Sequence, residues 1–226
     1  MSENNLMADK LLKAIQEEER DKTRGRLKIF FGYAAGVGKT YAMLKAAHEA
    51  KQRGIDVIVG YIEPHARPKT AALLHGLEVL PSKSVPYNGI TLREFDIDAA
   101  LQRKPQLILV DELAHTNADG SRHAKRYQDI KELLYAGIDV YTTVNVQHIE
   151  SLNDMVASIT GVFVRERIPD SIFDQADQVE LVDIEPQELI ERLKEGNVYR
   201  ESQAKRAVNN FFTVENLTAL REIALR

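Results

Sequence analysis

The feature that most constrains the fold is the glycine-rich stretch "GYAAGVGKT" (residues 32–40), which stands between the apolar run "LKIFF" and the helix-like "YAMLKAAHEA". A phosphate-binding loop, or P-loop, needs this order of strand, glycine turn and helix, because backbone N–H groups and the positive helix end must point at phosphate oxygens. Gly38, Lys39 and Thr40 match the end of the motif G-x-x-x-x-G-K-[ST]. The sequence therefore predicts a P-loop, with Lys39 on the β- and γ-phosphates and the Thr40 hydroxyl on Mg²⁺.

The start of this loop departs from the general motif. The first glycine position falls on Tyr33, whereas Gly32 stands one residue earlier and Gly36 lies inside the loop. A chance glycine-rich turn is the alternative, but the strand and helix on either side favour phosphate binding. We expect the nucleotide to contact Gly32, Ala35, Gly36, Val37, Gly38, Lys39, Thr40 and Tyr41.

An acidic pair follows the buried-looking run "PQLILV" and forms the second element of the predicted site. In P-loop proteins an acid at the end of the strand beside the P-loop holds Mg²⁺, so we expect Asp111 to bind the metal together with Thr40. Glu112 follows directly and is the predicted catalytic base, positioned to polarise water or a hydroxyl group. Two solvated carboxylates at a strand end are the alternative. Together with the P-loop, the pair favours the RecA-like division of P-loop proteins.

The strand "DVYTTVNVQH" carries a further candidate. Alternation places Thr143, Asn145 and Gln147 on one face of this strand. Asn145, near its tip, is predicted to sense the γ-phosphate and is assigned a catalytic role. A helix cap for the segment that begins near His148 is an equally good interpretation of Asn145 or Gln147.

Two basic clusters follow predicted strand tips, "EPHARPK" (residues 63–69) and "GSRHAKRYQD" (residues 120–129). Arg122, Lys125 or Arg126 can reach phosphates in its own chain or in a neighbouring subunit, and Arg122 is taken as the nucleotide-binding residue. A solvated helix start capped by Ser121 is the alternative, and the roles of both clusters stay open. The six histidines include no pair with convincing metal-ligand spacing.

Short apolar runs alternate with helical segments along most of the chain, which predicts an α/β fold: a P-loop NTPase of the RecA-like type with a mostly parallel sheet, helices on both faces and a helical C-terminal extension. The predicted strands cover residues 28–32, 56–63, 107–112, 139–146, 162–167 and 179–184. The predicted helices cover residues 40–53, 68–74, 97–103, 124–135 and 149–159, and three more are predicted at residues 185–199, 202–212 and 216–226.

We divide the chain into three parts. Residues 1–24 are a charged amphipathic appendage, residues 25–184 the nucleotide-binding domain, and residues 185–226 a helical extension. The final helical pattern stops without a glycine or proline, so we expect a piece of a longer protein whose downstream domains are partners of this one.

Composition narrows the classes of partner. The net charge is −4 and the sequence pI about 5.9, so no bulk attraction to nucleic acid or anionic lipid is expected. The chain has no cysteine, which excludes disulfides and thiolate zinc sites. Its apolar runs are too short to cross a bilayer, and we expect no membrane insertion by this part of the protein.

Four strings resemble the N-terminal cytoplasmic domain of the KdpD family, the membrane-bound sensor histidine kinases that control bacterial potassium-uptake genes: "KIFFGYAAGVGKTYAML", "LILVDELAHTNADGSRHAKRYQDI", "AGIDVYTTVNVQHIESLND" and "RLKEGNVY". The resemblance runs from about Gly25 to the C-terminus. The family's loop reads G-x-x-x-G-V-G-K-T, which makes the early glycine a family feature. The resemblance implies a cytoplasmic domain of an inner-membrane protein, followed by a stress-protein-like domain, four membrane spans and a transmitter.

The residues and the resemblance together predict an ATP- and Mg²⁺-binding regulatory domain of such a kinase, with a homodimer as a further candidate assembly. A transmitter's phospho-accepting histidine box is missing here, so this segment is not itself the histidine kinase. An active P-loop ATPase, or a Ser/Thr phosphotransferase acting on a neighbouring domain, is the alternative. A purely structural domain with a relic P-loop is disfavoured because Lys39, Thr40 and Asp111 are all present.

Overall fold

A computed structural model describes residues 23–63, 68–87, 90–194 and 211–226. Three of the features predicted above lie mainly outside these residues. They are the helix of the N-terminal appendage, most of the basic cluster at residues 63–69, and the helix expected over residues 202–212.

A six-stranded sheet forms the centre of the fold, and every neighbouring pair in it is parallel. Its order is β3-β2-β6-β7-β1-β8. An antiparallel hairpin, β4-β5, stands apart from it. The strands are β1 (Leu27–Gly32), β2 (Val57–Tyr61), β3 (Glu78–Val79), β4 (Lys83–Tyr87), β5 (Ile90–Glu94), β6 (Leu107–Val110), β7 (Asp139–Asn145) and β8 (Gln178–Leu181).

Helices connect the parallel strands, because each parallel pair needs a crossover. Those within the described residues are α1 (Lys39–Gln52), α2 (Pro68–Ala72), α3 (Ile97–Arg103), α4 (Arg126–Tyr135), α5 (Asn153–Thr160), α6 (Asp170–Asp174), α7 (Pro186–Lys194) and α8 (Val214–Leu225). Two 3₁₀ turns, Val146–His148 and Glu150–Leu152, follow β7.

Apolar side chains fill two layers, one on each face of the sheet. One layer contains α1, with Met43 and Leu44 packed in the same buried cluster as Phe30, Val59 and Leu109. The other layer holds α4 and the C-terminal helices, and its buried members include Ile29, Ile108, Ile130, Leu133, Leu189, Leu193, Leu217 and Leu220. The prediction of a parallel α/β fold with helices on both faces and helices at the C-terminal end is confirmed.

The strand order places the acidic strand relative to the P-loop. Strand β7 lies between β6, which precedes Asp111, and β1, which leads into the P-loop. The expectation that the acidic strand neighbours the P-loop strand directly is therefore wrong by one strand. One strand between the two motif strands is the RecA-like arrangement, so that assignment is confirmed.

Two local predictions differ from the structure. Residues 162–167 are predicted as a strand, but they form no ladder, and Phe163 is 74% exposed. The segment has three apolar residues followed by three charged ones, so it lacks the alternation that gives a half-buried strand one apolar face. The β4-β5 hairpin was not predicted, because Pro86 within β4 disfavours a strand in sequence terms.

Candidate functional site

The glycine-rich loop has the backbone that its glycines allow. Gly36 and Gly38 adopt φ angles of 97° and 110°, a region where a side chain is strained. Gly32 has a different requirement, because a Cβ there would lie 2.6 Å from Val37 Cγ2 and 3.2 Å from Lys39 Cδ. Glycine is therefore needed at residue 32, where the displaced first glycine stands.

Tyr33 occupies the position where the general motif has its first glycine, and its side chain is fully buried beneath the loop. Its hydroxyl donates a hydrogen bond to the carbonyl oxygen of Ile184 at 3.0 Å. Burial, reinforced by the charge of Asp183, raises the pKa of this phenol far above its usual value. Tyr33 thus anchors the start of the loop to the segment after β8 and takes no glycine-only conformation.

Lys39, the first residue of α1, is only 8% exposed. Its Nζ donates to the carbonyl oxygen of Ala34 at 3.0 Å and to Asn145 Oδ1. Asn145 ends β7, the strand next to β1, and its side chain makes no cap hydrogen bond to the following 3₁₀ turn. Asn145 therefore does not cap this turn, and its predicted role in sensing the γ-phosphate stays a prediction.

The carboxylate of Asp111 contacts the hydroxyl group of Thr40 in the P-loop. Thr40 Oγ1 donates to Asp111 Oδ2 at 3.0 Å. Thr143 Oγ1 donates to the other oxygen, Oδ1, which also accepts the backbone N–H of Glu112 at 3.2 Å. Asp111 is 3% exposed, so these donors replace most of the water that a carboxylate would otherwise bind. The two residues predicted to share a metal ion are therefore in direct contact.

Glu112 extends into the cleft from a strained backbone. Its φ angle is 60°, one of two positive values among the described residues that are not glycine. Its side chain is 45% exposed, but it lies in a concave site where protein replaces much of the surrounding water. Burial, followed by the negative charges of Asp111 and Glu63, raises the pKa of Glu112 to about 7. A carboxyl group with such a pKa can take up or release a proton near neutral pH.

The cleft collects most of the predicted residues together with several that were not assigned a role in it. Its lining includes Ala35, Gly36, Gly38, Lys39, Thr40, Asp111, Glu112 and Asn145 from the predicted set. It also includes Glu63, Thr70, Thr143, His115, His148 and Glu166. Position just after a strand was an available signal for Glu63 and His148, whereas Thr70 and Glu166 are distant in the chain from either motif.

Four predicted nucleotide ligands do not line the cleft. Gly32 and Val37 are buried, and Tyr41 is 45% exposed. Arg122 is placed on the surface, where its guanidinium contacts Asp98 and Glu132. The structure therefore does not bring Arg122 to the phosphate site of its own chain. Two nearby carboxylates hold it elsewhere, and the predicted contact with phosphates of a neighbouring subunit stays a prediction.

Arg126, from the same basic cluster, is fully buried. It pairs with Glu94 at 3.0 Å, donates to the carbonyl oxygen of Asp111 at 3.3 Å, and lies over the Tyr61 ring. Burial alone would raise the pKa of Glu94, but a hydrogen bond with His115 and the charges beside it keep that pKa below its ordinary value. This network supports the backbone that carries Asp111 and Glu112. Helix α4 begins here with Lys125 as its N-cap, so Ser121 is not the cap.

These residues fit a nucleoside triphosphate with Mg²⁺. The buried Lys39 lines the cleft together with Gly36 and Gly38 of the loop, and glycine allows a ligand to approach the backbone closely. The described residues contain no cluster of three or more histidine, aspartate or glutamate side chains that could hold a metal. Thr40 and Asp111 do place two oxygen ligands side by side, which suits Mg²⁺, an ion that uses one or two protein groups and takes further ligands from phosphates and water.

A glycine loop between β1 and α1, and an acidic tip two strands away, together define a P-loop α/β domain of the RecA-like type. Comparison with known proteins supplies the family. The family model described as "KdpD: Osmosensitive K+ channel His kinase sensor domain" matches residues 23–226. The chain belongs to the KdpD sensor-domain family.

Relatives from three bacterial groups agree with this membership. The chain is 66% identical over 216 residues to the sensor protein KdpD of Clostridium acetobutylicum, covering 96% of this chain and 24% of that protein. It is 61% identical over 203 residues to that of Escherichia coli K12, covering 90% and 23%. For Mycobacterium tuberculosis the identity is 55% over 202 residues, covering 89% and 24%. The chain therefore spans about a quarter of the length of these relatives.

A solved structure of DnaA from Aquifex aeolicus bound to AMPPCP aligns with 99% of this chain and 62% of its own, at 16% identity and a TM-score of 0.38. That likeness is too weak to support an argument, and the fold assignment depends on the strand order. Throughout the described ranges, no helix has both the length and the apolar character that a membrane span requires.

Proposed function

We propose that this domain binds ATP with Mg²⁺ in the cleft at the carboxyl ends of β1, β6 and β7. The observation that carries the proposal is the 3.0 Å hydrogen bond from Thr40 Oγ1 to Asp111 Oδ2. It joins the P-loop hydroxyl to the acid of a strand that is not its neighbour, at the edge where open α/β sheets bind ligands. A purely structural role for Thr40 and Asp111 would not require a buried lysine beside them, but the neighbouring Lys39 is buried.

Each residue has a defined part in this proposal. The Lys39 ammonium exchanges its contacts with Ala34 and Asn145 for phosphate oxygens, or shares them. The loop N–H groups and the start of α1 bind further phosphate oxygens. Thr40 and Asp111 hold Mg²⁺ directly or through water, and the ion, when bound, neutralises phosphate charge.

In the intact protein the domain is proposed to act as an ATP-dependent regulatory input to a sensor histidine kinase that controls potassium-uptake genes, on the cytoplasmic side of the inner membrane. Family membership supports this setting. Occupancy of the cleft shifts a conformational equilibrium only if it binds one state more tightly than the other. Downstream domains of the same protein are the proposed receivers, and a homodimer is a further proposed assembly.

Hydrolysis of ATP, or transfer of its γ-phosphate to a neighbouring domain, is the second candidate. It is favoured by one observation, namely that Glu112 lies in the same cleft with its pKa raised to about 7. A general base is most effective when its pKa lies near the working pH. Release of γ-phosphate, measured with and without the neighbouring domain, distinguishes binding alone from turnover and transfer.

The proposal is tested by titrating the domain with Mg-ATP in a calorimeter and by following its thermal unfolding. At a ligand concentration one hundred times Kd, binding should stabilise the fold by about 2.7 kcal/mol. Lys39→Ala should weaken binding by roughly ten- to a hundred-fold, because a charge-assisted contact contributes about 1.5–3 kcal/mol. Lys45→Ala is the matched control, an exposed lysine of the same helix. Equal binding by both variants, or no binding by the wild type, would refute the proposal.

A further inference from the structure

Strand β7 presents two adjacent threonines whose hydroxyl groups have different partners. Thr142 and Thr143 are 0% and 3% exposed, so both are buried. Thr143 Oγ1 donates to Asp111 Oδ1 and accepts the N–H of Glu112 at 3.3 Å. Thr142 Oγ1 has no hydrogen-bond partner in the part of the chain that the structure describes. Of these two neighbouring threonines, Thr143 is therefore hydrogen-bonded to Asp111 and Glu112, and Thr142 is not.

The strand register accounts for this difference. Thr142 pairs with Val110, the last residue of β6. Thr143 is therefore the first residue beyond the ladder, opposite Asp111, and alternation directs its side chain to the opposite face from that of Thr142. Its carbonyl oxygen also accepts the N–H of Leu113 at 3.0 Å. Thr143 thus contacts the acidic turn through both its side chain and its main chain.

These contacts divide the two oxygens of the Asp111 carboxylate. Oδ1 accepts from Thr143 Oγ1 of β7 and from the N–H of Glu112. Oδ2 accepts from Thr40 Oγ1, on the P-loop side. Rotation of the carboxylate would break both hydrogen bonds to Oδ1. Oδ2 is left as the oxygen that faces the P-loop.

We propose that Thr143 is a positioning residue for the Mg²⁺ site: its hydroxyl holds Asp111 so that Oδ2 and Thr40 Oγ1 face the ion together. This inference depends on the proposed binding of Mg-ATP and names a residue that the P-loop motifs do not include. The physical basis is that groups which hydrogen-bond a ligating carboxylate fix its orientation, and their loss typically costs 10–100-fold in metal affinity.

The test measures the Kd for ATP in the presence of Mg²⁺ and in the presence of EDTA. The Kd in EDTA divided by the Kd in Mg²⁺ measures the contribution of the ion. Thr143→Val removes the hydroxyl at nearly constant volume and should reduce this ratio about ten-fold, with little change in Kd for metal-free ATP. Thr142→Val is the matched control, a buried β7 threonine without the contact, and should keep the wild-type ratio. Thr143→Ser retains a hydroxyl and should restore it.

The outcomes separate this inference from the proposed function. If the wild type binds Mg-ATP but Thr143→Val keeps the same ratio as Thr142→Val, Thr143 has no positioning role and the ATP site stands. If the wild type shows no Mg-ATP binding, both are wrong. Thermal unfolding without nucleotide checks that the variants are folded. If Thr143→Val does not fold, Thr143→Ala serves as the variant that lacks the hydroxyl group. A Kd ratio in Thr143→Ser as low as that of the variant without the hydroxyl would also overturn the inference.

Discussion

The cleft and the C-terminal helical layer are both buried, but they are held together by different forces. In the cleft, buried polar groups such as Lys39, Asp111 and Thr143 are bonded to one another at defined atoms. In the layer formed by α7 and α8, the fully buried side chains are leucines, among them Leu189 and Leu217. Hydrogen bonds are directional and burial of apolar surface is not. The hydrogen bonds of the cleft therefore fix the positions of its side chains, whereas the apolar contacts of the helical layer contribute mainly stability.

The segment after β8 connects these two regions. Tyr33, at the start of the P-loop, donates to Ile184, and the two acidic residues on either side of Ile184 are bound by Arg221 of α8. Arg221 lies 2.7 Å from Asp183 and 2.9 Å from Glu185. Exposed ion pairs contribute little stability, typically below about 1 kcal/mol. We expect this connection to respond to occupancy of the loop.

The largest expected effect within the cleft concerns Glu112. If the domain hydrolyses ATP, Glu112→Gln should lower γ-phosphate release by about 10²–10⁴-fold, because it removes the general base. Affinity for Mg-ATP should stay close to that of the wild type. Wild-type kcat/KM, whose pH dependence reports the free domain, should rise as the pH increases through about 7, where Glu112 loses its proton. Full turnover by the variant would eliminate Glu112 as the base.

The raised pKa of Glu112 also predicts how stability depends on pH. An unfolded glutamate titrates near about 4.3, whereas folded Glu112 holds its proton until about 7. Between these values the folded state binds more protons than the unfolded chain, so this group's contribution to stability falls as the pH rises. Unfolding in urea at several pH values should show that Glu112→Gln removes this decline. An identical pH dependence in both proteins would contradict the assignment.

A change in the helical layer should act on stability and leave binding intact. Leu217→Ala deletes a fully buried side chain of α8 and should lower the free energy of unfolding by about 2–5 kcal/mol. Leu225→Ala, in the same helix but 58% exposed, is the control and should cost far less. Urea titration measures both. A large loss of Mg-ATP affinity in folded Leu217→Ala would show that the two regions are not separable in this way.

Asp111→Asn is a change within the cleft that should act on binding of the ion. Removing the charge should weaken Mg-ATP by about 1.5–3 kcal/mol, or roughly ten- to a hundred-fold, and metal-free ATP much less, because the lost charge acts through the ion. Calorimetry with Mg²⁺ or EDTA separates the two effects. Asp119→Asn is a surface control outside the residues that line the cleft. Equal weakening with and without metal would remove Asp111 from the proposed ion site.

The smallest expected effect tests the connection between the two regions. Tyr33→Phe removes only the hydroxyl that bonds Ile184 and should lower stability by about 0.5–1.5 kcal/mol. Hydrogen exchange of α8, with and without Mg-ATP, should respond to nucleotide in the wild type and less in the variant. Tyr135→Phe, an exposed tyrosine of α4, is the control. Unchanged exchange of α8 on nucleotide addition to the wild type would mean that the loop and the helix are not coupled.

Local sequence determined the parts of this protein that depend on neighbouring residues. The order of strand, glycine turn and helix at residues 27–52, and the acidic pair after β6, are visible because backbone conformation and strand ends have short-range signatures. The parallel α/β fold follows from the same alternation and is confirmed. The division of the chain at residues 24 and 184 stays a prediction.

Only the tertiary structure decided which residues meet. The sequence placed Arg122 at the phosphates, but Asp98 and Glu132 hold it on the surface. Thr143 gained its contact with Asp111 from a register that pairs residues more than thirty positions apart in the chain. Tyr33 could replace a motif glycine because a carbonyl group from the segment after β8 lies within reach of its hydroxyl. Such contacts depend on how distant segments pack, and no pattern within a single segment records that packing.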